Sequence, residues 1–155
     1  MSRLNVQQCI VAATIRQYGQ HPTTDLLGVD YFHTLPADTE FPKRTKLELF
    51  LRVFGLDQPP TWVFVTVTYL DQNGSDREEV YRKRVDLPFP NQPGHVVLDR
   101  GIKLMDVLLV GEGEYAIRVL RPRRRRQQYD TGSAWQGAAE WRVLAADYFV
   151  VGRVR

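Results

Sequence analysis

The sequence predicts an all-β chain: a single antiparallel β-sandwich of about eight or nine short strands, immunoglobulin-like or C2-like, with one long Arg-rich hairpin loop. Three observations carry that expectation. Apolar residues alternate at period two, β-branched and aromatic residues concentrate in short runs, and clusters of Gly, Pro, Asn and Asp separate those runs. A parallel α/β sheet would need helices between its strands, and no such stripe is visible.

At the start, QQCIVAATIRQY reads as a strand, although Leu4, Val11, Ile15 and Tyr18 would also suit a helical face. His21 to Asp25 reads as a turn and GVDYFHTL, 28 to 35, as a second strand. From Thr45, TKLELFLRVF alternates: Leu47, Leu49, Leu51 and Val53 share one face, and Lys46, Glu48, Phe50 and Arg52 the other. That is a half-buried strand. If the outer face is open, Phe50 and Phe54 are candidate surface aromatics for another protein.

After Gln58-Pro59-Pro60, TWVFVTVTYL is dense in β-formers. Residues 71 to 76 then form a hairpin connection in which Asn73-Gly74 supplies positive φ angles, and EEVYRKRVDL returns. Pro88, Pro90 and Pro93 punctuate a loop, followed by a short strand HVVL at 95 to 98. KLMDVLLV and YAIRVL make a further pair around Gly111-Glu112-Gly113-Glu114, with Tyr115, Ile117 and Val119 on one face and Ala116, Arg118 and Leu120 on the other. Residues 121 to 139 break every periodicity and read as a flexible basic loop within a single domain spanning 1 to 155. Trp141 to Val151 is the last strand, and GRVR a basic tail.

This order of landmarks resembles a bacterial β-sandwich domain family of unknown function. The resemblance runs through IVAATIRQYG, DLLGVDYFHTL, EFPKRTKLELFLRVFG, TVTYLDQNGSDREEV and GEGEYAIRVL, over roughly residues 8 to 120. Its second strand would carry Leu27, Gly28 and Val29, and its late Gly-x-Tyr strand Gly113, Glu114 and Tyr115. The resemblance implies fold rather than function.

The charge is local. The chain of 155 residues has 21 Lys+Arg against 18 Asp+Glu, for a net charge of +3. Five of those arginines lie in RPRRRR, 121 to 126, so the rest of the chain sums to −2. The lone Cys9 permits no internal disulfide and fits a reducing cytoplasm. The first residues lack a signal-peptide core, and no apolar run approaches the roughly 18 to 20 residues needed to span a bilayer, so a soluble cytoplasmic protein is expected.

No catalytic, cofactor or metal set is legible. Gly111 to Ala116 formally satisfies G-x-G-x-x-A, but a strand follows where the fingerprint needs a helix N-terminus, and two glutamates stand where a pyrophosphate would sit. It reads as a tight turn using glycine freedom. Ser2, Ser75 and Ser133 lie outside any nucleophile motif, and Cys9 reads as core. His21, His33 and His95 are isolated, which leaves zinc without ligand spacing. Asp71 with Asp76 is too sparse for calcium, and Glu78 and Glu79 point to opposite faces of a strand. An enzyme without a recognisable motif ranks third.

The expected function is therefore a non-catalytic interaction or assembly module with a protein partner. The alternative is binding of nucleic acid or another polyanion through Arg121, Arg123, Arg124, Arg125 and Arg126, whose planar forks suit phosphate, with Tyr129 and Trp135 as stacking faces. Edge pairing of the last strand would also allow a homodimer.

Overall fold

The computed structural model describes residues 3–12, 14–17, 24–27, 32–56, 62–89, 94–122 and 141–155. Among them are strands β1 (Arg3–Ala12), β2 (Thr14–Gln17), β3 (Thr24–Leu27), β4 (Phe32–Leu35), β5 (Lys43–Leu56), β6 (Trp62–Leu70), β7 (Asp76–Asp86), β8 (His95–Leu109), β9 (Gly113–Pro122) and β10 (Trp141–Arg153), and no helix. They form a three-stranded sheet β1-β5-β8, a five-stranded sheet β4-β10-β9-β6-β7, and a two-stranded sheet β2-β3.

The alternation of β5 decides its placement. Leu47, Leu49, Leu51 and Val53 are at most 1% exposed. They meet Val63, Val65 and Val67 of β6, Tyr115, Ile117 and Val119 of β9, and Phe149 and Val151 of β10 in one apolar cluster shared by the two larger sheets. Burying a side chain of this size contributes roughly 1.5–3 kcal/mol, so this row is the main adhesive between the layers.

Four expectations change. One pairing is parallel, β4 with β10, and the long stretch of chain from β5 to β9 between these two strands leaves room for the crossover it needs. The stretches 95 to 98 and 103 to 110 belong to one strand, β8, since Gly101 passes opposite Phe50 without breaking the ladder to β5. Asp25 is in β3, paired with Arg16 of β2, rather than in a turn. In the β6-β7 connection only Gly74 has a positive φ, of 76°. There the Asp71 carboxylate organises the turn instead of Asn73, accepting from the Asn73 N–H at 2.8 Å and the Ser75 N–H at 2.9 Å.

Phe50 is also corrected. It lies on the face of β5 away from the core yet is only 3% exposed. β2 packs against β5 and β8, and the Ile15 N–H donates to Glu48 Oε2 at 2.6 Å. Phe50 is thus covered from within the chain, and Phe54 beside it is half-buried.

Side chains close both seams between the two larger sheets. Across one, the Val11 N–H of β1 donates to Asp147 Oδ2 of β10 at 2.7 Å; across the other, Lys83 Nζ of β7 donates to the Lys103 carbonyl of β8 at 3.3 Å.

A tyrosine fixes the β8-β9 corner. The buried Tyr115 hydroxyl donates to the Gly111 carbonyl at 2.8 Å and accepts from the Val110 and Gly111 N–H groups at 3.0 and 3.2 Å. Its ring stands between Tyr69 and Phe149, with centroids 4.9 and 5.1 Å away. Gly113 has a φ of +139°, and a Cβ there would lie 3.2 Å from the Tyr69 ring, so the expected use of glycine at this turn is realised. Arg153 ties down the chain end, pairing with Glu112 through its N–H at 2.7 Å and its guanidinium at 3.1 Å.

Candidate interaction face

Two strands of the five-stranded sheet are apolar on both sides. In β6, Val63, Val65 and Val67 enter the core while Trp62 and Phe64 face outward with Thr66 and Thr68; in β10, Phe149 and Val151 enter and Trp141, Val143, Tyr148 and Val150 face outward. A sheet with one face in the core has its other face toward solvent unless something covers it.

Register sets that outer face out in rows. Phe32 of β4 stands opposite Val150, and Val150 opposite Glu114. Next come Tyr148, Ala116 and Thr68, then Ala146, Arg118, Thr66 and Arg82, then Val143, Leu120, Phe64 and Arg84. On the β4-β10 side the face is open: Phe32 is 57% exposed, Val143 52%, Tyr148 49% and Val150 39%. Phe32 lies across Gly152, its Cζ only 2.7 Å from where a Cβ would stand. Glycine at 152 therefore lets an aromatic ring rest on the backbone of the neighbouring strand.

On the β6-β7 side the same face is roofed by arginine. Trp62, Phe64 and Trp141 meet edge to face, with centroids 5.7 and 5.2 Å apart. The Arg82 guanidinium carbon lies 5.8 Å from the Phe64 centroid and 5.2 Å from that of Trp141, and the Arg84 carbon 4.9 Å from that of Trp62. Glu79 holds Arg82 through contacts of 2.8 and 3.0 Å, and Asp76 holds Arg118 at 2.8 and 2.6 Å. Both ion pairs raise the pKa of the arginine, chiefly through the hydrogen bonds to the carboxylate. Between these side chains runs a groove of about 530 Å³ whose floor is the buried Thr66 and Thr68.

Of the residues singled out from sequence, Arg121 is at the end of β9, half-buried and directly opposite Arg142 of β10. Arg123, Arg124, Arg125, Arg126, Tyr129 and Trp135 lie outside the described residues. Cys9 packs against the core, and burial first, then the Asp147 carboxylate, pushes its thiol pKa up to about 12. His33 is half-buried on β4 with Nε2 3.2 Å from Thr45 Oγ1; burial, then Lys43, lowers its pKa. Glu78 and Glu79 stand opposite Tyr69 and Thr68 respectively, and both border the groove between Arg82, Arg118 and Trp141.

Among the described residues no three His, Cys, Asp or Glu side chains are grouped to hold a metal, and no helix is long and apolar enough to cross a membrane. A second groove, of about 660 Å³, lies where the β6-β7 and β8-β9 turns meet, between Tyr69, Asp71, Asn73, Arg77, Glu112 and Glu114.

Sequence reading missed Phe32, Val143, Tyr148 and Val150 because it treated each strand as having one apolar face. The signal was present: Tyr148-Phe149-Val150-Val151 is apolar at both parities, which a strand flanked by core on only one side does not require. Comparison with protein-family models, with curated proteins and with solved structures finds no match to this chain.

Proposed function

We propose that this chain is a non-catalytic interaction or assembly module of the cytoplasm, and that a protein partner meets the outer face of its five-stranded sheet at Phe32, Val143, Tyr148 and Val150. The observation that carries the reading is this open apolar strip, on a sheet whose opposite face is already committed to the core. Contiguous exposed apolar surface is costly in water and characteristic of docking sites. On this reading the chain is a single sandwich domain of the immunoglobulin-like or C2-like type, akin to the bacterial family its landmarks resemble. A buried tyrosine whose hydroxyl returns to the backbone a few residues upstream, as Tyr115 does, is a habit of immunoglobulin-like sandwiches.

The test is affinity capture from lysate, with and without nuclease, using the wild type and Tyr148→Asp/Val150→Asp. Partners that survive nuclease and vanish only with the substituted face support the reading. Retention of the same partners by the variant overturns it.

A second reading, binding of nucleic acid or another polyanion, is favoured by one specific observation. Arg121 stands directly opposite Arg142 in the β9-β10 ladder, so two arginines are placed side by side where the arginine run begins. In sequence, four more arginines follow directly after Pro122. Loss of retention on a polyanion when Arg123 to Arg126 are replaced by Ser is the expected outcome; equal retention counts against it.

A further inference from the structure

We propose that the free edge of β7 pairs antiparallel with β7 of a second copy of this chain, with Val80 of each copy opposite Tyr81 of the other. The two five-stranded sheets then run on as one. The proposal goes beyond the protein contact on the outer face and uses the far edge of the same sheet.

β7 is the edge that the topology leaves open. In the order β4-β10-β9-β6-β7 it ends the sheet and, among the described residues, pairs in a ladder with β6 alone. The last strand, β10, has β4 and β9 on its two sides and so offers no edge for a dimer. At the other end β4 has 4 residues, against 11 in β7. An edge strand of that length presents a row of backbone N–H and C=O groups with which a further strand can pair.

The sequence of β7 says which strand fits. Glu78 and Glu79 precede Val80 and Tyr81, and Arg82 and Lys83 follow them; the charged residues are exposed and the central two half-buried. A second copy related by a two-fold axis between Val80 and Tyr81 sets Glu79 opposite its Arg82 and Glu78 opposite its Lys83, and the axis repeats both pairs. Opposite charges across a ladder attract, as do an aromatic and a β-branched side chain at its centre.

A bulge makes the faces agree. Directly opposed residues share a face, and in a regular strand Glu79 and Arg82 would lie on different ones. The ladder to β6 shifts register between Tyr81 and Glu79, so Arg82 stands opposite Thr66 and Glu79 opposite Thr68, both in the outer row of β6. Arg82 accordingly reaches Glu79 along its own strand at 2.8 Å. Lys83 and Glu78 stand opposite Val65 and Tyr69, in the other row. In the dimer the Glu79 and Arg82 side chains of both copies form a cluster of alternating sign. Charges and bulges on an edge usually keep foreign strands away. Here the signs reverse about the centre of the strand, so residues that repel other sequences match a second copy.

The contact is small, Glu78 to Lys83 of each copy, so the dimer is weak and depends on concentration and salt. The experiment is sedimentation equilibrium of the full chain from about 1 to about 500 μM, at low and high salt. A dimer that weakens as salt rises is expected. Two variants carry a single sign along the edge: Glu78→Lys/Glu79→Arg, and Arg82→Glu/Lys83→Glu. Each alone should dimerise at least about tenfold more weakly than the wild type, because every opposed pair becomes like-charged. An equimolar mixture of the two should dimerise again, which also shows that both fold. Tyr148→Asp/Val150→Asp should dimerise as the wild type does, whatever becomes of its protein partners. Monomers at every concentration overturn the proposal, as does a mixture that stays monomeric or a single-sign variant that dimerises as well as the wild type. Loss of the dimer in Tyr148→Asp/Val150→Asp also overturns it, by moving the contact to the outer face.

Discussion

The Arg82 guanidinium carbon lies 5.2 Å from the centre of the Trp141 ring, although β9 and β6 run between their two strands. The side chain spans the sheet, lies over Phe64 on the way, and is steadied at its head by Glu79. An exposed cation-π contact contributes about 0.5–1 kcal/mol, and an exposed ion pair about 0–1 kcal/mol. Arg82→Ala should therefore lower unfolding free energy by about 1 kcal/mol in urea titration, and Glu79→Gln by less. An equal loss in both variants would assign the stabilisation to the ion pair rather than the ring contact.

Tyr115→Phe removes one hydroxyl that serves three backbone groups at the β8-β9 corner. The ring and its stacking on Phe149 remain, so packing is preserved. Leaving buried backbone groups without their partner costs about 1–3 kcal/mol. Chemical denaturation should show that loss; an unchanged midpoint would mean that water replaces the hydroxyl.

Asp99 is held below its usual pKa, first by hydrogen bonds from Arg52, at 2.8 Å each, and then by its charge. A carboxylate whose pKa is depressed by folding adds stability above the unfolded pKa and loses it as pH falls through the folded one. Both partners are partly exposed, so the contribution is at most about 1 kcal/mol. Between about pH 5 and pH 2 the wild type should lose more stability than Asp99→Asn, with the difference opening below about pH 4. Parallel pH curves would show that the pair contributes nothing.

Cys9 should be inert in the native state. With its thiol pushed up to about 12 by burial and by Asp147, almost no thiolate exists at pH 8. Ellman's reagent should label it far more slowly in the folded than in the denatured protein, and Asp147→Asn should accelerate labelling only modestly because burial is the larger cause. Rapid labelling of the folded protein would contradict the packing described.

Phe50 and Tyr148 explain why the layers were legible and the face was not. Both are aromatics on the non-core side of their strands, and no local pattern distinguishes them. Phe50 is covered because β2 packs back against β5 and β8, whereas no described residue does the same for Tyr148. Burial on the core side follows from alternation, so Leu47 to Val53 and Tyr115 to Val119 could be read in advance. Burial on the other side is decided by where a distant hairpin lands. The same limit appears at the turn: Gly74 was foreseeable from its conformational freedom, but the choice of Asp71 over Asn73 as organiser depends on hydrogen bonds at 2.8 and 2.9 Å that no propensity encodes.

The most direct test of the account compares partner capture by three versions of the full chain: the wild type, Tyr148→Asp/Val150→Asp on the five-stranded sheet, and Val97→Asp/Met105→Asp on the three-stranded one. Val97 and Met105, 52% and 49% exposed, are matched to the first pair in accessibility. With all three versions melting cooperatively at similar temperatures, nuclease-resistant partners should disappear only from the first variant. Their survival there, or equal loss from both, would contradict the assignment of the interaction face to the five-stranded sheet.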